Sequence, residues 1–150
     1  MAGKPPLRIV PPTGTARHPL RILIADDDRD TTTTLAAILK EEGHEVHTVL
    51  RGDEILEVSR FFRPDVVIAD INMPGMSGYA VARELRERHG LLCPLLIAIS
   101  GKWTKASDKL VAHEVGFDHY LLKPTDPNEL LAVLMQFQTP ATNESKKSGE

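Results

Sequence analysis

Three carboxylates, a hydroxyl and a primary amine occupy matching places in this chain, because each follows an apolar run. Ile22-Leu23-Ile24-Ala25 leads into Asp26 and Asp27, Val66-Val67-Ile68-Ala69 into Asp70, Leu95 to Ile99 into Ser100, and Tyr120-Leu121-Leu122 into Lys123. Gathered in one place, these groups suit phosphoryl transfer: a carboxylate can attack phosphorus, while an ammonium and a hydroxyl can meet the phosphoryl oxygens. Crowded carboxylates repel one another, and Mg2+ relieves that repulsion with one or two carboxylate ligands, several waters and a phosphate oxygen. Asp26, Asp27 and Asp70 therefore predict Mg2+. Taken singly, each group has a plainer explanation. Adjacent aspartates suit a helix N-terminus, Ser100 suits a strand-end turn, and Lys123 suits a solvated surface. Their coincidence at equivalent strand ends favours a shared site.

The elements that must position these groups follow from the apolar pattern. Unbroken apolar runs set between helical patterns read as strands of a parallel sheet buried on both faces. In such open sheets, ligands bind outside the carboxyl ends of the strands. Leu35, Ile38 and Leu39 mark a first helix that runs to about Glu42 and closes at Gly43. His44 to Leu50 reads as a short edge-side strand. Gly52 opens a second helix with Ile55, Leu56, Ser59 and Phe62 inward, and Pro64 stops it. A turn rich in Pro74, Gly75 and Gly78 leads to a third helix, with Val81 and Leu85 one turn apart and Gly90 at its end. A fourth helix spans about Ala106 to Val115, capped by Gly116. The fifth has Asp126 as cap, Pro127 at its first position and Glu129 to complete a capping box. Five βα units with right-handed crossovers place helices on both faces. The expected fold class is α/β, a three-layer sandwich around a doubly wound five-stranded parallel sheet.

At 150 residues the chain has room for one domain with a sizeable core. A net charge of -3 with interspersed signs gives no basic surface for nucleic acid. The single cysteine, Cys93, excludes an internal disulfide and fits a reducing compartment. The longest apolar stretch, Leu91 to Ile99, contains Pro94 and is far short of the roughly 20 residues that span a bilayer. A cytoplasmic, soluble protein is expected. Residues 1–19, with five prolines, read as a flexible leader, 20–138 as the folded unit, and 139–150 as a flexible polar tail. The six histidines lack ligand spacing, and His44 and His47 are expected on opposite faces of their strand. The Thr31 to Thr34 run, poor for a helix interior, is assigned no function.

Asp70-Ile-Asn-Met-Pro-Gly-Met-Ser-Gly78 matches the pattern Asp-x-x-Met-Pro-x-Met-x-Gly and resembles the phosphoacceptor segment of two-component response-regulator receiver domains, the chemotaxis regulators among them. The likeness covers the whole folded unit. It takes in Asp26-Asp27, Gly52-x-Glu54-x-Leu56, Pro64-Asp65, Ser100-Gly101 and Gly116-Phe117-Asp118-x-Tyr120-Leu121-Leu122-Lys123-Pro124. The resemblance implies the flavodoxin-like sheet order 2-1-3-4-5. It implies that Asp70 accepts a phosphoryl group from a phosphohistidine on a sensor histidine kinase or phosphotransfer protein. Asp27, Asp70 and the backbone carbonyl of Asn72 would hold Mg2+, with Asp26 acting directly or through water. Lys123 would stand on the other side of the transferring group, and Ser100 would bond one of its oxygens. Ser100 and Tyr120 would form the switch. A face built from the fourth helix, fifth strand and fifth helix would dock a downstream protein or a second copy. The resemblance also implies a cis Lys123-Pro124 bond.

Thr125 departs from the apolar residue more usual after Lys-Pro in that family. Asn72, being polar, is expected to let the acyl phosphate hydrolyse over minutes. Trp103, next to Lys102, suits a partner surface or a loop anchor equally. No output domain follows residue 138, so signalling by docking, or onward phosphoryl transfer, is expected. Self-phosphorylation from small phosphodonors and slow self-dephosphorylation would be its chemistry. Two other readings compete. One is a receiver-like adaptor that works without phosphorylation. The other is a Mg2+-dependent phosphatase of the haloacid-dehalogenase type, which needs a second aspartate where this chain has Asn72.

Overall fold

A computed structural model describes residues 18–101 and 106–138. The elements alternate: β1 (Arg21–Ala25), α1 (Arg29–Glu41), β2 (Glu45–Val49), α2 (Gly52–Phe62), β3 (Val66–Asp70), α3 (Gly78–His89), a 3-10 turn (Gly90–Leu92), β4 (Leu95–Ser100), α4 (Ala106–Val115), β5 (His119–Leu122) and α5 (Pro127–Phe137). All strand pairs are parallel, in the order β2-β1-β3-β4-β5. This is the expected α/β fold of the flavodoxin-like order. The chain steps one way from β1 to β2, then crosses back so that β3 lies on the other side of β1. That reversal opens a crevice at the carboxyl ends of β1 and β3, where ligands of doubly wound sheets bind.

Strand alternation divides the core into two layers. Ile22, Ile24, Ile68, Ile97 and Ile99 pack with Leu35 and Leu39 of α1 and Leu130 and Leu134 of α5. On the other face Leu23, Val67, Leu96 and Ala98 pack with Ile55 and Phe62 of α2, Val81 and Leu85 of α3, and Ala112 of α4. β1, β3 and β4 are covered on both sides, which is why their sequences are apolar without a break. β2, at the edge, is half-exposed.

Local chemistry sets the helix ends. Asp28 caps α1, its carboxylate accepting from the Asp30 N–H at 3.1 Å and the Thr31 hydroxyl at 2.9 Å. Thr32, though β-branched, is buried and returns its hydroxyl to the Arg29 carbonyl at 2.9 Å. Asp126 caps α5 with Pro127 in the first turn, as expected. Its bond goes to Asn128 N–H at 2.9 Å, one residue short of Glu129, and Glu129 stays exposed. The reciprocal partner appears instead at α2, where Glu54 accepts from the Leu50 and Arg51 N–H groups, both at 3.2 Å. Leu56, expected inward, is partly buried at the edge of the core. His44 accepts from the Leu20 N–H at 3.0 Å on the α1 face, while His47 meets Phe62 on the α2 face, so the two do point apart. Residues 1–17 of the expected leader at 1–19, Trp103 with Lys102, and the expected tail at 139–150 lie outside the described residues.

Candidate functional site

Each site residue sits at a strand end because the apolar run before it is buried and the polar residue is the first that can leave. Asp26 follows β1, has no exposed surface, and accepts from the Asp28 N–H at 2.9 Å through Oδ1. Its own N–H donates to the Val49 carbonyl at 3.2 Å, so β2 holds this backbone from the outer side. Asp27 points to solvent. Asp70 ends β3, 6 % exposed, with Oδ1 accepting from the Asn72 N–H at 3.3 Å. Carboxylate oxygens of Asp26, Asp27 and Asp70, one from each, lie within 4.8 Å of one another.

The ammonium of Lys123 reaches this cluster from the end of β5. Its Nζ lies 2.7 Å from Asp26 Oδ2 and donates to Asp70 Oδ2 at 3.1 Å. Lys123 was expected across a transferring group from the metal; here it bridges two of the acids directly. The physical reason is proximity: at the end of β5 the ammonium takes the nearest carboxylates. The Lys123-Pro124 bond is cis, as expected.

Burial is the largest influence on Asp70 and holds its carboxyl above the usual carboxylate range; the Asp26 charge adds to this, while Lys123 and the Asn72 N–H oppose it. Lys123 is pushed down by burial, the largest single influence on it, but its hydrogen bonds to and charge attraction by Asp26 and Asp70 together outweigh that and raise it. The cluster thus combines a carboxylate that resists ionisation with a firmly protonated lysine.

Asp26 Oδ2 is fully buried and makes its ion pair with Lys123 without a well-aligned hydrogen bond. A buried oxygen short of donors, beside two further carboxylates, is a hard, anionic, all-oxygen donor set, and it fits Mg2+. Ser100, 3 % exposed, ends β4, and its carbonyl accepts from the Lys123 N–H at 2.9 Å, tying the two residues together. Tyr120 lies opposite Ala98 in the β4–β5 register, and its ring packs against the layer that contains Ala98. Alternation along β4 puts Ser100 on that same face. Asn72 is exposed in the loop after β3. The structure therefore brings Asp26, Asp27, Asp70 and Lys123 into one cluster, with Ser100 and Asn72 bordering it and Tyr120 behind Ser100. Beside it, a groove of about 450 Å3 runs between Asp30, Thr31 and Thr34 of α1 and Lys123, Pro124 and Thr125.

Two glycines that shape the site were not recognised as such from sequence. A Cβ on Gly78 would lie 2.6 Å from the Asp70 carbonyl oxygen, and the Gly78 N–H donates to the Ile71 carbonyl at 2.8 Å, closing the loop that carries Asn72. A Cβ on Gly52 would lie 1.9 Å from the Met76 carbonyl oxygen, and its N–H holds the Pro74 carbonyl at 3.1 Å. The start of α2 thus clasps the loop from below. In the sequence Gly52 opens a helix, where serine or aspartate is the better cap, Gly78 stands in a turn, and both fall within the family motifs; none of these signals shows the close backbone approach.

The geometry has counterparts in known proteins. The family model for the response regulator receiver domain matches residues 22–135. The chain is 37% identical over 112 residues to the DNA-binding response regulator MtrA of Mycobacterium tuberculosis, covering 75% of this chain and 47% of that one. It is 37% identical over 109 residues to the aerobic respiration control protein ArcA of Escherichia coli, covering 73% and 44%. The chain spans about half the length of these curated relatives. Among solved structures, the chemotaxis response regulator CheY4 of Vibrio cholerae superposes with a TM-score of 0.73 at 28% identity, covering 79% of this chain and 98% of that one. A putative response regulator from Chloroflexus aurantiacus gives 0.72 at 30% identity, covering 79% and 97%.

Proposed function

Because the chain belongs to the response regulator receiver family, we propose that Asp70 accepts a phosphoryl group from a phosphohistidine of a sensor kinase or phosphotransfer protein and that the chain then signals by docking. In that step the imidazole N–P bond breaks as an Asp70 Oδ–P bond forms, and the freed imidazole nitrogen takes up a proton. Asp26, Asp27, Asp70 and the Asn72 carbonyl would hold Mg2+, which when bound neutralises charge on the phosphoryl oxygens. Lys123 exchanges its bond to Asp70 Oδ2 for one to a phosphoryl oxygen, staying within reach because Asp26 holds its other side. The Ser100 hydroxyl donates to a second oxygen. Tyr120 then follows Ser100 on the shared face, and the change reaches α4, β5 and α5. That face exposes Leu110, Val111, Leu122, Met135 and Phe137, an apolar surface suited to a protein partner or a second copy. Among the described residues no helix is long and apolar enough to cross a membrane, and we place the protein in the cytoplasm with its kinase.

One observation carries this reading: an ammonium held by two of three clustered carboxylates at the β1–β3 switch point. The test is incubation with acetyl phosphate and Mg2+, followed by intact mass. The wild type gains one phosphate and Asp70→Asn gains none. No gain in the wild type would leave only an adaptor that works without phosphorylation.

A further inference from the structure

The opposite end of the sheet carries a second feature that phosphoryl transfer does not use. A groove of about 520 Å3 lies where the C-terminal ends of α2 and α3 meet the turn into β4. Its apolar wall is Leu85, Leu92 and the two prolines Pro64 and Pro94; its polar lining is Ser59, Arg60, Arg63 and His89. Among the described residues no carboxylate lines it. Four features of the groove point to a missing partner.

Ser59 is 8 % exposed, and among the described residues its buried hydroxyl has no hydrogen-bond partner. Buried hydroxyls are ordinarily bonded, so the floor of the groove carries polarity that the described residues leave unsatisfied. Arg21, Arg51, Arg86 and Arg88 each pair with a carboxylate. No ion pair between described residues uses Arg60, Arg63 or His89. Helix dipoles account for basic residues near the ends of α2 and α3, but not for cationic groups gathered on an apolar cleft without an acid. Arg63 also holds φ 52, the one positive φ among the described non-glycine residues. A glycine or asparagine would cap α2 there with less strain. Leu91 and Leu92, beside the groove, are 104 % and 89 % exposed.

We propose that this groove is a docking site for a partner protein's extended segment in which a carboxylate residue is flanked by apolar side chains. The carboxylate meets Arg60 and Arg63 above the buried Ser59, and the apolar neighbours cover Leu92, Pro94 and the outlying Leu91. Charge selects this occupant. The chain's own N-terminal segment carries Lys4, Arg8 and Arg17 and no acid before Asp26, and residues 139–150 carry Glu144 and Glu150 but no large apolar side chain to flank them, so neither has the chemistry the groove calls for. The groove sits at the beginning of β3 and Asp70 at its end, four residues on from Val66 and about 13 Å along the strand. Docking here is therefore independent of phosphorylation, and the groove acts as a permanent tether while the other end of the sheet switches.

The test is selection from a display library of random twelve-residue peptides on the full chain, with synthetic copies of the enriched peptides then titrated against it. Peptides combining Asp or Glu with Leu, Ile or Phe are expected. Arg60→Glu and Leu92→Asp, each at an exposed position, should each weaken them at least tenfold. Asp70→Asn should bind them unchanged, and both groove variants should still gain one phosphate from acetyl phosphate. Phosphorylation failing with peptide binding intact would count against the proposed function alone. Enriched peptides without carboxylates, equal binding to both groove variants, no enrichment at all, or concentration-dependent self-association abolished by Leu92→Asp would each overturn the tether.

Discussion

Lys123→Met removes the ammonium that bridges Asp26 and Asp70 and keeps most of the aliphatic stem. Asp26 has no exposed surface, the Asp70 side chain is 8 % exposed, and the lysine side chain 25 %. Removing one partner of a buried ion pair costs about 3–5 kcal/mol, because the other charge is stranded. Solvent reaching the lysine screens part of that, and Asp27, which would repel the stranded pair, is itself open to water. The expected loss is about 2–3 kcal/mol, or a fall in Tm of about 10 °C for a fold of this size. Lys123 ionises above its ordinary 10.5, so its own titration leaves the contribution complete at neutral pH, where its carboxylate partners are charged, and removes it as pH rises through the folded value. Urea unfolding at pH 7.5, followed by far-UV circular dichroism, measures the loss. Added Mg2+ should shrink it by at least half: the cation and the ammonium compete for the same oxygens, so the variant binds Mg2+ more tightly and gains more from saturation. Raising salt should change the loss little, since the pair is buried. A variant as stable as the wild type without Mg2+, or a deficit that Mg2+ leaves untouched, refutes the reasoning.

Burial disfavours the charged form of Asp70, so Asp70→Asn should raise Tm by a few degrees at pH 7 without Mg2+. The penalty is absent below 3.8 and grows as pH rises through the folded pKa, so melts at pH 3.5 should bring the two proteins together. Gly78→Ala forces backbone apart at Asp70 and should cost about 2 kcal/mol and weaken Mg2+ binding. Gly43→Ala, with open space but φ +98, should cost about 1 kcal/mol and leave phosphorylation by acetyl phosphate unchanged. His44 is held neutral by burial and accepts from the Leu20 N–H. Its contribution is complete above 6.5 and lost as pH falls below that, with a slope of at most about 1.4 kcal/mol per pH unit. His44→Gln should flatten the stability profile between pH 7.5 and 5.5 in denaturant titrations.

Burial is written locally, and so most of the fold was legible. A strand covered on both faces must be apolar at every position, and the runs before Asp26, Asp70 and Ser100 have that form. A helix end needs a cap, and Gly43, Gly90 and Gly116 mark three ends with positive φ. Site membership followed from the same logic, because in a parallel sheet the residues after each strand share one edge. Distance and partnership were not legible. Asp26 and Asp27 are chemically identical neighbours, yet one is sealed against Lys123 and the other is in water, a difference made by the Val49 carbonyl and the approach of β5. Gly52 and Gly78 looked like ordinary punctuation until the β3–α3 loop passed within a methyl group's width of them. The groove at the far end needs α2, α3 and the turn into β4 side by side. Periodicity and caps depend on residues a few positions apart, whereas the Lys123–Asp70 contact spans 53 residues and exists only once the sheet has assembled.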